Sequence, residues 1–274
     1  MLFLKDRIDE SIEIMQSLEP SEGYYLAFSG GKDSVVLYAM AQAASVKFDA
    51  HYSITSADPP ELVRFIKIHY VPEVQMERPK KTMWEIIPDR LMPPTRLVRY
   101  CCLLLKEGGG EGRVVLTGVK KSDSMKRRTV VVRSCRKNGK VVVNPLLNWV
   151  DEEIWEYIRS ERLPYCELYD QGFKRLGCIG CPMAGPKGQR EQFARWPKYR
   201  SAYIRAFEKM LIRRTERGLK TTWKTGEEVM SWWLKESSNP ARHDGKEETM
   251  SEKIMVGIVK GDNSQGTRLG DTPK

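Results

Sequence analysis

Apolar and polar positions change period along the chain, and the changes mark its elements. Over residues 5–18, Ile8, Ile12, Ile14 and Met15 fall roughly on one face and Pro20 follows the end, so the spacing predicts a helix. Residues 24–28 form a short apolar run that reads as a buried strand. The run leads straight into Ser29-Gly30-Gly31-Lys32-Asp33-Ser34, and an unbroken apolar stretch over 35–44 reads as a buried helix. Residues 48–54 are a second strand candidate. Pro59-Pro60-Glu61 opens a helix running to about Tyr70, since proline is tolerated in a first helical turn. A short helical piece over 81–87 is expected to end at Pro88.

Further on, 99–107 reads as a helix that Gly108-Gly109-Gly110 terminates, and 114–118 as a third strand. Residues 130–132 and 141–143, with Lys137-Asn138-Gly139-Lys140 between them, read as a hairpin. Asp151 is the expected N-cap of a helix reaching Arg159. Residues 172–188 look irregular, and 191–217 reads as a long helix or a pair broken near Trp196-Pro197. A last helix covers 226–235, with Val229, Met230, Trp232, Trp233 and Leu234 expected in the core. Beyond it the chain is polar, apart from 254–259, and reads as a flexible tail holding one strand at most. Strands alternating with helices predict an α/β fold with a doubly wound, mostly parallel sheet and a helix- and loop-rich C-terminal elaboration. The expected organisation is a nucleotide-binding α/β domain over 1–150, a helical part over 151–235 and a tail over 236–274.

Composition narrows the class. The 274 residues are 41% hydrophobic and 30% charged, as expected for a soluble globular protein. No apolar run approaches the roughly 20 residues that span a bilayer, and residues 1–10 mix acids and bases without a secretory core. Six cysteines without a signal point to a reducing, cytoplasmic setting, where they bind metal or react rather than form disulfides. Lysine and arginine outnumber the acids 46 to 36, a net charge of +10. The excess gathers in two stretches, 120–140 and 187–220. Both suit a nucleic acid or another polyanion, although a solvated helix face explains the second equally well.

The turn at Ser29–Ser34 carries the strongest chemistry. It lies between a strand and a helix, where open α/β sheets bind ligands. Gly30 and Gly31 let a phosphate approach the backbone amides, and the following helix points its N-terminal dipole at the anion. Ser29 and Ser34 add hydroxyls, Lys32 a positive charge, and Asp33 a group that caps the helix or helps hold a metal. The spacing matches neither the Walker loop nor the dinucleotide fingerprint. Among the cysteines, Cys101 and Cys102 are adjacent and Cys178 and Cys181 form a C-x-x-C. Four thiols suit zinc or a [4Fe–4S] cluster, and spacing alone does not choose.

These motifs carry a family resemblance. The Ser29–Ser34 turn resembles the SGGxDS loop of the PP-loop, or adenine nucleotide alpha-hydrolase, superfamily. That likeness implies an adenine nucleotide, ATP with Mg2+ in many members, split between its alpha and beta phosphates. Arg99-Tyr100-Cys101-Cys102-x-x-x-Lys106, Gly118-Val119-Lys120-x-x-x-Ser124-x-x-Arg127 and Gly177-Cys178-x-x-Cys181-Pro182 resemble the phosphoadenosine phosphosulfate (PAPS) reductase family. The cluster-bearing branch typified by adenylylsulfate reductases is most similar. The resemblance runs from about Tyr24 to Pro182. It implies that Cys101, Cys102, Cys178 and Cys181 hold a [4Fe–4S] cluster with Lys106 beside it. It also implies that Lys120, Ser124 and Arg127 meet the anionic end of the nucleotide. Lys120 stands where the family usually has arginine, so a fork becomes a point charge. Thr55, Asp58 and Glu61 are expected to edge the nucleotide pocket.

One departure matters. Reductases of this kind attack sulfur with a cysteine near the C-terminus, and here no cysteine follows Cys181. Cys135, inside the basic hairpin, is the remaining thiol that could stand in, while Cys166 reads as packing. The same scaffold serves relatives that split ATP and move sulfur, including the ATP pyrophosphatase components of DNA phosphorothioation and some tRNA-thiolating enzymes. The leading expectation is therefore an ATP pyrophosphatase supporting sulfur transfer to a nucleic acid. Its sulfur would come from a donor protein such as a cysteine desulfurase. The alternative is a sulfonucleotide reductase producing sulfite with a non-standard or partner-supplied thiol.

Overall fold

The computed structural model describes residues 2–135 and 139–236; the expected tail from 237 on, with its 254–259 strand, and the Lys137-Asn138 turn lie outside them. The chain opens with α1 (Leu2–Ser17), β1 (Tyr24–Ala27), α2 (Lys32–Ala43), β2 (Phe48–Ser53), α3 (Pro60–His69) and β3 (Val74–Glu77). It continues through α4 (Met83–Arg90), α5 (Tyr100–Leu105), β4 (Val114–Leu116), β5 (Arg133–Cys135) and β6 (Val141–Val143). Then follow α6 (Asp151–Ser160), α7 (Gly185–Arg195), α8 (Pro197–Glu216) and α9 (Gly226–Trp233).

Among the described residues six strands form one sheet in the order β3-β2-β1-β4-β6-β5, and every pairing is parallel except β5 with β6. Leu26 of β1 lies in register between Ala50 of β2 and Leu116 of β4, and all three are fully buried. A parallel strand buried on both faces needs such a continuous apolar run, which is why 24–28 was legible. Polar links tie α1 to the segment that follows β6. The indole N–H of buried Trp149 donates to Ser11 Oγ at 2.9 Å, and Ser11 Oγ donates to Pro145 O at 3.0 Å.

Three expectations need correction here, and one strand, β3, carries no sequence signal: its four residues are apolar only at Val74 and Met76, too short a run to show a period. First, Pro88 lies inside α4 instead of ending it. The helix is short and starts at a Thr82–Glu85 capping box, and it buries Pro88 on the side that packs on α8, so one lost backbone bond is offset. Second, the hairpin's first strand is Arg133–Cys135, not 130–132. The residues nearest the turn pair first, and extension past Asn144 meets Pro145, which has no N–H to give. Third, 172–188 is not wholly irregular: a 3-10 turn (Pro182–Ala184) and the start of α7 occupy its end. The break at Trp196-Pro197 stands between α7 and α8 as expected.

Candidate functional site

From β1 the chain builds the sheet outward through β2 and β3, then crosses to lay β4 on the other side of β1. The crevice at the carboxyl ends of β1 and β4 is therefore the point where strand order reverses, the place such sheets bind ligands. The phosphate loop leaves β1 there. Gly30 has φ 71°, and a Cβ on it would fall 2.7 Å from the methyls of both Leu62 and Ile66, so only glycine makes this turn. Ser34 Oγ donates to Gly31 O at 2.9 Å and accepts from the Ser29 N–H at 3.1 Å, bracing the loop at the start of α2. Gly118, leaving β4, lies so close that a Cβ would stand 3.1 Å from Asp33 O.

Across this crevice runs a lattice of lysines and carboxylates. Lys120 is fully buried, and its ammonium meets Asp33, Asp123 at 3.1 Å and Asp151 at 3.2 Å. An ammonium has three donors, and three carboxylates from three elements take them. Lys32 meets Asp33 at 3.3 Å and Asp151 at 3.1 Å, and Arg127 pairs with Asp123. Three cations thus face three anions. Burial alone would lower the Lys120 pKa, but Asp33 and Asp123 outweigh it and hold the ammonium above the ordinary lysine value. Burial would raise Asp123 and Asp151, but Lys120 with Arg127 outweighs it at Asp123 and Lys120 with Lys32 outweighs it at Asp151, keeping both below the usual carboxylate range.

The structure brings Lys32, Asp33, Lys120 and Arg127 together, and Ser29, Gly30, Gly31 and Ser34 form the adjoining loop. Ser124 is exposed between two 3-10 turns, Lys121–Asp123 and Met125–Arg127. Asp151 is the residue that sequence reasoning misplaced. It occupies the first helical position of α6, while Val150 is the cap residue and takes Glu153 Oε2 on its N–H at 2.8 Å. Nothing in the sequence separates Asp151 from Glu152 and Glu153, which also suit a helix N-terminus. One oxygen of Asp151 bridges both lysines.

A second cluster lies at the end of β2. Cys101, Cys102, Cys178 and Cys181 line one pocket with Thr55, Lys106 and Tyr203. The adjacent cysteines sit in the first turn of α5, and both line this pocket. Cys178 Sγ donates to Thr55 Oγ1 at 3.4 Å, and Thr55 donates to Asp58 through both Oγ1 and N–H at 2.7 Å. The Ile179 N–H donates to Ala57 O at 2.7 Å. Thr55 and Asp58, expected at the nucleotide pocket, thus buttress the cysteine-bearing loop. Glu61 is taken by Arg195 at 3.0 Å and by the Trp196 indole. A hydrogen bond from Cys101, helped by Arg99 and Lys106, pulls the Cys102 thiol down, while Cys101 is pushed up. Desolvation opposes the charge on Lys106, but Cys178 and Asp58 outweigh it and raise its pKa. Among the described residues no three His, Cys, Asp or Glu side chains are set to hold a single metal ion. Cys135 is exposed on β5 and Cys166 is buried.

The basic stretches divide. Lys121, Arg128 and Arg133 are exposed. In the second stretch Arg200 pairs with Glu227, Arg213 with Asp89, and Arg214 donates to Leu91 O, so much of that charge is spent within the chain. Among the described residues no helix is long and apolar enough to cross a membrane.

Residues 23–184 match the family model described as the phosphoadenosine phosphosulfate reductase domain. The adenosine 5′-phosphosulfate reductase of Halalkalibacterium halodurans is 30% identical over 140 residues, covering 49% of this chain and 56% of that protein. That of Shouchella clausii is 29% identical over 213 residues, covering 70% of this chain and 85% of that protein. The chain therefore spans little more than half of the first relative and most of the second. A solved phosphoadenylyl-sulfate (PAPS) reductase from Candida auris is 20% identical, with a TM-score of 0.48 over 64% of this chain and 93% of that one.

Proposed function

Because the chain belongs to the phosphoadenosine phosphosulfate reductase family, we propose that it binds an adenine nucleotide between β1 and β4 and acts at the group joined to its alpha phosphate. The substrate favoured is adenosine 5′-phosphosulfate, the compound in the names of its relatives. The observation that carries this reading is the pairing of a phosphate loop at the end of β1 with a four-thiol pocket at the end of the neighbouring β2.

The reaction needs two thiols. A thiolate attacks the sulfur, the S–O bond breaks, and AMP leaves with the electron pair, giving a thiosulfonate. A second thiol displaces sulfite and leaves a disulfide, so the dithiol is oxidised as the sulfonate is reduced. Glycine amides, Lys32 and the α2 dipole stabilise the leaving phosphate. The lattice is already charge-balanced, so an entering phosphate competes with Asp33 and Asp151 for the lysines. With no cysteine after Cys181 in this sequence, the attacking thiol comes from a partner or from exposed Cys135.

Four thiols on two segments around one pocket, with Lys106 against their negative charge, fit a [4Fe–4S] group as a donor set. Cys101, Cys102, Cys178 and Cys181 would hold it, and it would supply a redox or electrostatic centre beside the nucleotide. The missing thiol favours one second reading, an ATP pyrophosphatase serving sulfur transfer to a nucleic acid from a sulfur-donor protein. In it Asp33 and Asp151 would be the carboxylates offered to Mg2+, which would supply charge to the leaving pyrophosphate.

One assay separates the readings. Anaerobically prepared full chain is given adenosine 5′-phosphosulfate with a dithiol, or ATP with Mg2+, with and without DNA or tRNA. Sulfite and AMP from the first support the reductase. Pyrophosphate from the second, without sulfite from the first, replaces it with the ATP reading, and binding of neither nucleotide overturns both.

A further inference from the structure

Tyr169 lies on the segment that links α6 to Cys178, and nothing derived so far uses it. Its phenol oxygen accepts the Lys32 backbone N–H, the first amide of α2, at 2.9 Å. The same oxygen stands 3.4 Å from where a Cβ on Gly31 would be, so it reaches the mouth of the phosphate loop. The side chain is held in place. The Trp155 ring packs edge-on at 5.1 Å, and the Tyr169 N–H donates to Cys166 O at 3.1 Å. A phenol has one O–H to donate besides its lone pairs. The amide of Lys32 takes a lone pair, and the hydrogen bonds among the described residues give the O–H no acceptor. Burial raises the phenol's pKa, so it keeps its proton across the working range.

We propose that Tyr169 is a phosphate-binding residue of the nucleotide site: the Lys32 amide polarises its oxygen, and its O–H is presented to a phosphate oxygen of the ligand. This rests on the reading that the crevice takes an adenine nucleotide. An amide that donates to a hydroxyl strengthens that hydroxyl as a donor in turn. The helix N-terminus thus acts on the ligand through Tyr169 as well as through its own amides. The residue also lies on the chain that leads directly to the C-x-x-C.

The test is Tyr169→Phe in the full chain, with affinities measured for ATP, adenosine 5′-phosphosulfate and adenosine. A hydrogen bond to a charged phosphate is worth about tenfold in affinity. Both phosphate-bearing ligands should weaken about tenfold and adenosine should not change. Equal weakening of all three, or no weakening of any, overturns the proposal. A second measurement needs no change to Tyr169. Pyrophosphate should alter the tryptophan fluorescence of the wild-type chain, Trp155→Phe should remove that change, and adenosine should not produce it. A signal indifferent to Trp155 also overturns the proposal. If wild-type protein binds no adenine nucleotide at all, the underlying reading fails with it, a result distinct from a selective failure of the variant.

Discussion

Lys120→Met removes the ammonium at the centre of the lattice and keeps most of the stem. Lys120 is fully buried, and its partners Asp33, Asp123 and Asp151 have side chains 29%, 17% and 56% exposed. Removing one member of a buried ion pair costs about 3–5 kcal/mol, because the other charge is left without compensation. Here Asp33 keeps Lys32, Asp123 keeps Arg127 and Asp151 can rehydrate. The lower end, about 3 kcal/mol, is therefore expected. In a domain of this size each kcal/mol moves Tm by about 2–4 °C, so the melt at pH 7 should fall by about 6–12 °C. Asp151→Asn is the control: its carboxylate is more than half exposed and screened, and the cost should stay below about 1 kcal/mol. The pH profile gives a further arm. Lys120 is raised in the folded state, so its contribution is complete below the ordinary lysine pKa and is lost as pH rises through the folded value. Asp123 is lowered, so its contribution is complete above the ordinary carboxylate pKa and is lost as pH falls through the folded value. The gap between wild type and Lys120→Met should therefore be widest near neutrality and close at both extremes. A variant melting within about 2 °C of wild type at pH 7 would refute the claim that this buried charge is a keystone.

Gly30→Ala should lose nucleotide binding and cost about 1–3 kcal/mol, since φ 71° strains any side chain and the added methyl meets Leu62 and Ile66; differential scanning calorimetry with a binding titration checks both. Ser11→Ala strands the buried Trp149 indole N–H and should cost about 1–3 kcal/mol in a urea melt, with Ser17→Ala, on an exposed face, as the silent comparison. Changing Cys178 and Cys181 together to Ser should abolish iron content and visible colour in anaerobically prepared protein, while Cys166→Ser leaves both intact; colour that survives the first pair sinks the four-thiol assignment.

Much of this protein was legible in one dimension because the controlling interactions are local or periodic. The apolar run at 24–28, the glycine turn after it and the helix that follows predict a strand, loop and helix, and the structure has them. The C-x-x-C and the adjacent cysteine pair stand out by residue type, and the fold brings all four to one pocket. Where local signals are weak, sequence and structure part: β3 is too short to show a period, and the paired strand falls at Arg133–Cys135 instead of on the 130–132 valines. The order of the strands, and hence the crevice between β1 and β4, depends on contacts between residues far apart in the chain. So do the partners of Lys120, which come from α2, a 3-10 turn and α6. Thr55 and Asp58 look from sequence like the rim of a nucleotide pocket, and folding sets them under Cys178 instead. Asp151 and Tyr169 carry no motif, and each gains its role only from what the chain brings within about 3 Å of it. Sequence determines which elements form and which chemistries are available, because propensity and periodicity act over a few residues. The tertiary structure decides which charges meet, because an ion pair or hydrogen bond depends on distance in space and not on separation along the chain.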